Sequence, residues 1–265
     1  DPAELVLTAR AGTTIAELEK ALAERGQMLP FEPPHYSPAS TLGGVIAAGL
    51  SGPARPYAGG VRDFVLGLHI IVGKGDVLKF GGQVMKNVAG YDVSRLMAGS
   101  LGVLGLMTQV SLKVLPVPLA QSTLCFELSE VAAIHQINEW SAKPLPMTGS
   151  VWHQGILSVR LAGARAAVAS AEQQLGGTKL APEAAAKLWL DLQDQTHAFF
   201  SSASAMAAQH SLWRLSLPAI APAIDAVTIS GAHDQLIEWG GAQRWVWSDA
   251  SPESIRKLAR SLGGH

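Results

Sequence analysis

Apolar and polar positions alternate over residues 4–10, which predicts a strand. Thr14 and Glu17 then have the spacing of a capping box, ahead of a helix that turns Ile15, Leu18 and Leu22 to one face and stops at Gly26. Residues 65–72 form a near-continuous apolar run, a buried strand, which Gly73-Lys74-Gly75-Asp76 turns into a second strand over 77–80. Asp92 reads as the N-cap of a short helix. Over 106–115, Thr108, Val110, Leu112 and Val114 alternate with Gln109, Ser111 and Lys113, a long strand with one solvated face that Pro116 and Pro118 end.

Those prolines coincide with a shift in composition. All seven tryptophans lie beyond them and all three tyrosines before, so a boundary is expected near Leu119, giving domains 1–118 and 119–265. The second half predicts a strand over 122–128, a helix over 129–140, a hairpin over 149–161 about Gly155, helices over 165–175 and 182–193, strands over 212–217, 235–239 and 243–247, and a last helix over 252–262. Hairpin-linked strands with helices between them make an antiparallel sheet covered by helices on one face, and the fold class is α+β. Residues 203–209, small and polar, are expected to form a mobile loop. The segment around Trp239 and Trp245 reads as a hairpin turned at Gly240-Gly241, either packed or in contact with substrate, with His233 and Arg244 flanking it and able to face a ligand.

A formal charge of -1 over 265 residues excludes a nucleic-acid binder. The charged fraction is only 15% against 48% apolar residues, so either the core is large or some apolar surface is covered by another subunit. The single cysteine, Cys125, permits no disulfide and no iron–sulfur centre within these residues, so electrons collected here leave through a partner. The longest apolar run, 42–50, is about half a membrane span, and no charged-then-apolar leader opens the sequence; a soluble cytoplasmic protein is the expectation.

Candidate chemistry lies in two glycine-spaced segments, Pro38-Ala39-Ser40-Thr41-Leu42-Gly43-Gly44 and Gly99-Ser100-Leu101-Gly102-Val103-Leu104-Gly105. A hydroxyl-Gly-Gly step lets backbone amides approach an anion with no Cβ in the way, and Val45-Ile46-Ala47-Ala48 continues it as a helix whose positive end faces that anion. The same glycines also suit tight turns and helix packing. Neither segment is a dinucleotide fingerprint or a P-loop, which points to a phosphate-bearing ligand other than NAD or ATP.

Joined with Phe31-Glu32-Pro33-Pro34-His35-Tyr36, Gly52-Pro53-Ala54-Arg55-Pro56, Val61-Arg62-Asp63-Phe64-Val65-Leu66-Gly67, Met85-Lys86-Asn87-Val88-Ala89-Gly90-Tyr91-Asp92 and Trp239-Gly240-Gly241-Ala242-Gln243-Arg244-Trp245, these segments carry a resemblance. The chain resembles the FAD-binding flavoproteins of the vanillyl-alcohol oxidase / p-cresol methylhydroxylase superfamily, and within it the flavin subunits of bacterial glycolate oxidases. The resemblance implies FAD as cofactor, with 1–118 the second lobe of a p-cresol methylhydroxylase-type FAD-binding domain and 119–265 an antiparallel cap. It implies an upstream lobe with its own glycine-rich loop before this chain, and a segment after it that returns to the flavin domain.

By that resemblance, Pro38, Ser40, Thr41, Gly43 and Gly44 lie along the pyrophosphate and ribityl chain, with Gly49 and Gly52 near the flavin ring. Gly99, Ser100, Gly102, Leu104, Gly105 and Leu106 wrap the adenine side through main-chain contacts, and Leu101 stands where relatives often carry glutamate. Arg55 and Arg62 are the cations placed nearest the flavin, where positive charge stabilises a reduced anionic ring or holds a substrate carboxylate; a surface pair of Arg62 with Asp63 is the alternative. Lys86, Asn87, Tyr91 and Asp92 form a polar set in which Asp92 is a helix cap ahead of an acid or base, while His35 and Tyr36 either reach the ring or stay solvated. The metal motif of related D-2-hydroxy-acid dehydrogenases, Gly-His-x-Gly-Asp-Gly-Asn, has no counterpart among the eight histidines, so no metal is expected.

The activity implied is oxidation of glycolate to glyoxylate, shared with a second flavin subunit and passing electrons to an iron–sulfur subunit, with room for peripheral membrane association through the complex. Two alternatives stand beside it: a non-catalytic flavin-holding or assembly subunit of that complex, and a self-contained FAD-dependent 2-hydroxy-acid dehydrogenase. No catalytic residue is assigned.

Overall fold

A computed structural model describes residues 1–82, 91–201, 210–224 and 232–265, and these form two compact units, Asp1–Val117 and Pro118–His265. The polar set's Lys86 and Asn87 and the expected loop 203–209 lie outside the described residues.

The first unit runs β1 (Val6–Arg10), α1 (Ile15–Ala23), β2 (Gln27–Met28), α2 (Leu42–Ala48), α3 (Arg55–Ala58), α4 (Val61–Phe64), β3 (Val65–Ile71), β4 (Val77–Gly81), α5 (Val93–Leu96), β5 (Leu106–Lys113) and β6 (Leu115–Pro116). Its main sheet is antiparallel in the order β1-β5-β3-β4. The capping box forms as expected: Thr14 Oγ1 accepts the Glu17 N–H, and Glu17 accepts the Thr14 N–H. Ile15, Leu18 and Leu22 of α1 and Leu42 and Ile46 of α2 share one core with Val110 and Leu112 of β5. Two expectations change. The long strand breaks after Lys113, and Leu115–Pro116 pairs instead with Gln27–Met28. Its second face is not simply wet, because Ser111 is 6% exposed and its hydroxyl bonds that of Thr8 across the β1–β5 ladder at 2.8 Å.

The second unit runs β7 (Ala120–Glu127), α6 (Glu130–Ser141), β8 (Met147–His153), β9 (Ile156–Gly163), α7 (Arg165–Leu175), β10 (Thr178–Lys179), α8 (Pro182–Gln193), α9 (Ala198–Ser201), β11 (Ser211–Ser216), β12 (Ala232–Glu238), β13 (Gln243–Ser248) and α10 (Pro252–Ser261). Seven antiparallel strands follow the order β10-β7-β9-β8-β12-β13-β11. Gln154 and Gly155, both at positive φ, make the two-residue turn that joins β8 to β9 and matches the twist of the strands.

Helices cover this sheet on both faces, where the sequence predicted one. On one face Phe126 packs against Trp140 of α6, and Ile255 and Ala259 of α10 pack with Leu215 and Val246. On the other, the indole N–H of Trp189 in α8 donates to Thr123 Oγ1 at 2.8 Å, and the Arg160 guanidinium stacks 4.8 Å from the same ring. Trp189 and Leu192 give α8 an apolar stripe, and period alone does not say which side of a sheet such a stripe meets.

Five of the seven tryptophans belong to this double-sided packing: Trp140, Trp152, Trp189, Trp245 and Trp247 are buried, while Trp213 and Trp239 are partly buried. A wide sheet with helices on both sides has large gaps that indoles fill, and the N–H groups of Trp152, Trp189, Trp245 and Trp247 all donate within the unit.

Candidate functional site

The two glycine segments meet around α2. Thr41 is its N-cap, with Oγ1 accepting the Gly44 N–H at 3.3 Å. At this end Leu42 N–H donates to Thr13 C=O at 2.9 Å, Gly43 N–H to Ala11 C=O at 2.7 Å and Val45 N–H to Thr41 C=O at 3.0 Å. At the other end the second segment caps the helix: Gly99 N–H donates to Ile46 C=O and Leu101 N–H to Ala47 C=O, both at 2.9 Å. Gly49, at φ +69°, allows this approach, since a Cβ there would sit 2.9 Å from Gly99 Cα.

Beside α2 lies a groove of about 420 Å³, inside the range of about 300–1,000 Å³ usual for ligand sites. Of the residues singled out in the sequence, Thr41, Gly43, Gly44, Gly102, Gly105 and Leu106 line it. Ala11, Gly12, Ala47 and Met107 complete the wall without having been singled out; the small pair Ala11-Gly12 closing the first strand was the available signal. The wall is mostly backbone and methyl groups, a shape that fits a slim extended chain such as the phosphate and ribityl part of FAD.

The source of hydrogen bonds differs from the expectation. The N–H groups of Leu42, Gly43, Gly44 and Val45 are all engaged within the fold, so α2 does not offer its N-terminus to an anion. Docking this seven-residue helix against the Ala11–Thr13 turn pairs the Leu42 and Gly43 amides with that turn's carbonyls, while the Thr41 cap takes those of Gly44 and Val45. Of the residues that line the groove, Gly12 and Gly102 have N–H groups with no acceptor in the protein, and these remain for a phosphate. The residues present therefore fit the cofactor through shape at the first segment and through the amides of Gly12 and Gly102.

The other candidates fall outside the lining. Pro38 is exposed, and Ser40 holds the loop, its C=O accepting the Ile15 N–H at 2.9 Å. Buried Gly52 donates its N–H to Phe31 C=O at 2.9 Å. Arg55 opens α3 with its side chain against Gly60, and Arg62 is exposed. Asp63 accepts the Gly60 N–H at 2.9 Å, a cap on α4. Ser100 has a buried hydroxyl with no protein partner, and Leu101 and Leu104 are exposed. His35 pairs with Glu19 at 2.9 Å, and Tyr36 and Tyr91 are exposed. Asp92 caps α5, accepting the Arg95 N–H at 3.1 Å.

Arg244 does not face a ligand. Its guanidinium is fully buried and donates to the carbonyls of Gly241, Pro222 and Ala221 at 3.1, 2.7 and 2.6 Å, while burial lowers its pKa against the pull of Glu130. The side chain of His233 lies outside the described residues. Among the described residues no group of three or more His, Cys, Asp or Glu is placed to hold a metal ion.

The family of FAD binding domains matches residues 1–81. The chain is 49% identical over all 265 residues to "Glycolate oxidase subunit GlcE" of Escherichia coli (strain K12), spanning 71% of that protein. It is 33% identical over 150 residues to "Glycolate oxidase subunit GlcD" of Bacillus subtilis (strain 168), 56% of this chain and 32% of that one. A mitochondrial D-lactate dehydrogenase [cytochrome] of Arabidopsis thaliana is 36% identical over 102 residues, 38% of this chain and 18% of that one. In fold, the whole chain superposes on 61% of an alkyldihydroxyacetonephosphate synthase with a TM-score of 0.67 at 16% identity. Full-length identity at this level, with the paired glycine segments meeting at one groove, places the chain in the family of the FAD-dependent glycolate oxidase subunit GlcE.

Proposed function

We propose that the protein works as an FAD-binding subunit of a glycolate oxidase that converts glycolate to glyoxylate, beside a second flavin subunit and an iron–sulfur subunit that takes the electrons. The observation that carries this reading is the 49% identity extending over every residue of the chain. Bound FAD supplies the hydride acceptor. The chain's own residues hold it: Gly43, Gly44 and Ala47 leave room for the phosphate chain, Gly12 and Gly102 offer it backbone donors, and Leu106 and Met107 keep water from one wall. Cys125 alone cannot ligate a cluster, which agrees with electrons leaving through a partner. Placement in the cytoplasm, reaching the inner face of the membrane through partners, belongs to the same proposal; among the described residues no helix is long and apolar enough to cross a membrane.

The test is glycolate turnover with an artificial electron acceptor, for the flavin-loaded protein alone and then with both other subunits. Activity that emerges only in the mixture supports the proposal. Rapid turnover by the lone protein favours a self-contained dehydrogenase, and a flavin-loaded but inactive mixture overturns the oxidase reading.

A further inference from the structure

A histidine cluster in the second unit has no part in the proposed function. His153 ends β8, Asp234 lies in β12, and His197 immediately precedes α9. His153 Nε2 is 3.1 Å from Asp234 Oδ2, and the His197 ring stands edge-on to His153 with centroids 5.4 Å apart. The Nδ1 of His197 accepts the Phe199 N–H at 3.2 Å, which fixes the start of α9.

That short helix is docked by aromatic contacts. Phe199 is 1% exposed, its ring 5.5 Å from His153 and 6.4 Å from Trp247, and its C=O accepts the Trp247 indole N–H at 3.1 Å. Phe200 meets Trp245 edge-on at 5.2 Å. Leu236 and Val151 lie in the same cluster.

An imidazole nitrogen accepts a hydrogen bond only while it carries no proton. We propose that His197 is an acid-sensitive latch, whose protonation at Nδ1 sets two donors against each other and releases α9 from the Trp245–Trp247 face of the sheet. The surroundings set its range. Burial opposes the charge most, His153 from β8 and Lys187 from α8 oppose it too, and Asp191 of α8 and Asp234 of β12 favour it; the balance holds the pKa below its ordinary 6.5. With the folded pKa below the unfolded one, the unfolded chain takes the proton first as pH falls. The contribution of His197 to stability is therefore full above about pH 6.5 and declines below it until the folded pKa is passed.

Fluorine NMR of the full chain labelled with 5-fluorotryptophan reads this directly, with the Trp245 and Trp247 signals assigned from single Trp→Phe variants. Both signals should move together on acidification from about pH 8 to about pH 5, with one midpoint below 6.5. In His197→Asn, whose side-chain oxygen still accepts the amide but does not titrate, they should stay in place. His153→Gln removes a group whose charge opposes that of His197 and should raise the midpoint. The same movement in His197→Asn, or a wild-type spectrum constant over that range, overturns the latch. If His197→Asn does not fold, an unmoved midpoint in His153→Gln overturns it instead.

Discussion

Gly43 and Gly44 are adjacent, line the same groove and should respond differently to one added methyl group. At Gly43 a Cβ would stand 2.8 Å from Ala11 Cβ and 3.1 Å from Ala11 O, against the hydrogen bond that ties α2 to the end of β1. At Gly44 the nearest atom is Thr41 Oγ1 at 3.3 Å, and the site is helical, where alanine is favoured over glycine by about 0.5–1 kcal/mol. Gly43→Ala should therefore lower both the thermal midpoint and the flavin content. Gly44→Ala should hold or raise the midpoint, and the bulkier Gly44→Val should lose flavin while staying folded. Equal midpoints for the two alanine variants would remove the distinction. The residue types of the site were legible in the sequence, because two glycine-spaced segments answer each other along the chain where either alone could serve only a turn. What their amides do was not, since that depends on Ala11 and Thr13, which are distant in sequence.

At the scale of elements, legibility followed locality. The box of Thr14 and Glu17, the Ser129 cap of α6 and the Gln154-Gly155 turn each draw on residues within a few positions, so their boundaries could be read. The four-residue helices α3 and α4 could not: the Ala54 N–H at the start of α3 is satisfied at 2.8 Å by Glu32, from a separate loop. The pairing of β6 with β2 is likewise non-local. Thr14→Ala should cost α1 its cap, about 1 kcal/mol, seen as a lower denaturant midpoint with an unchanged slope. Hydrogen bonds from Thr14 hold the Glu17 carboxyl below its ordinary pKa, so its share is present above that range and fades as acid protonates it. A Thr14→Ala variant that matches wild type at neutral pH would show that the box adds nothing.

For the whole molecule, each unit has a core of its own. Residues 118–265 expressed alone should unfold cooperatively and show the blue-shifted emission of buried indoles, since five of their tryptophans are 9% exposed or less. Emission typical of solvated indole would mean that this sheet needs more of the chain.

The neighbourhood of β1 and β5 has a consequence for synthesis. Among the described residues β1 is an edge strand that pairs with β5, the last long strand of its unit. At about 5–20 residues per second, the roughly one hundred residues between them take about 5–20 s to leave the ribosome. Through that interval β1 lacks its β5 ladder and the apolar face of α1 lacks Val110 and Leu112 of its core, which leaves this stretch of nascent chain open to non-native pairing. The groove draws its walls from both sides of the delay, so a flavin held there as proposed would be loaded only after β5 has cleared the exit tunnel.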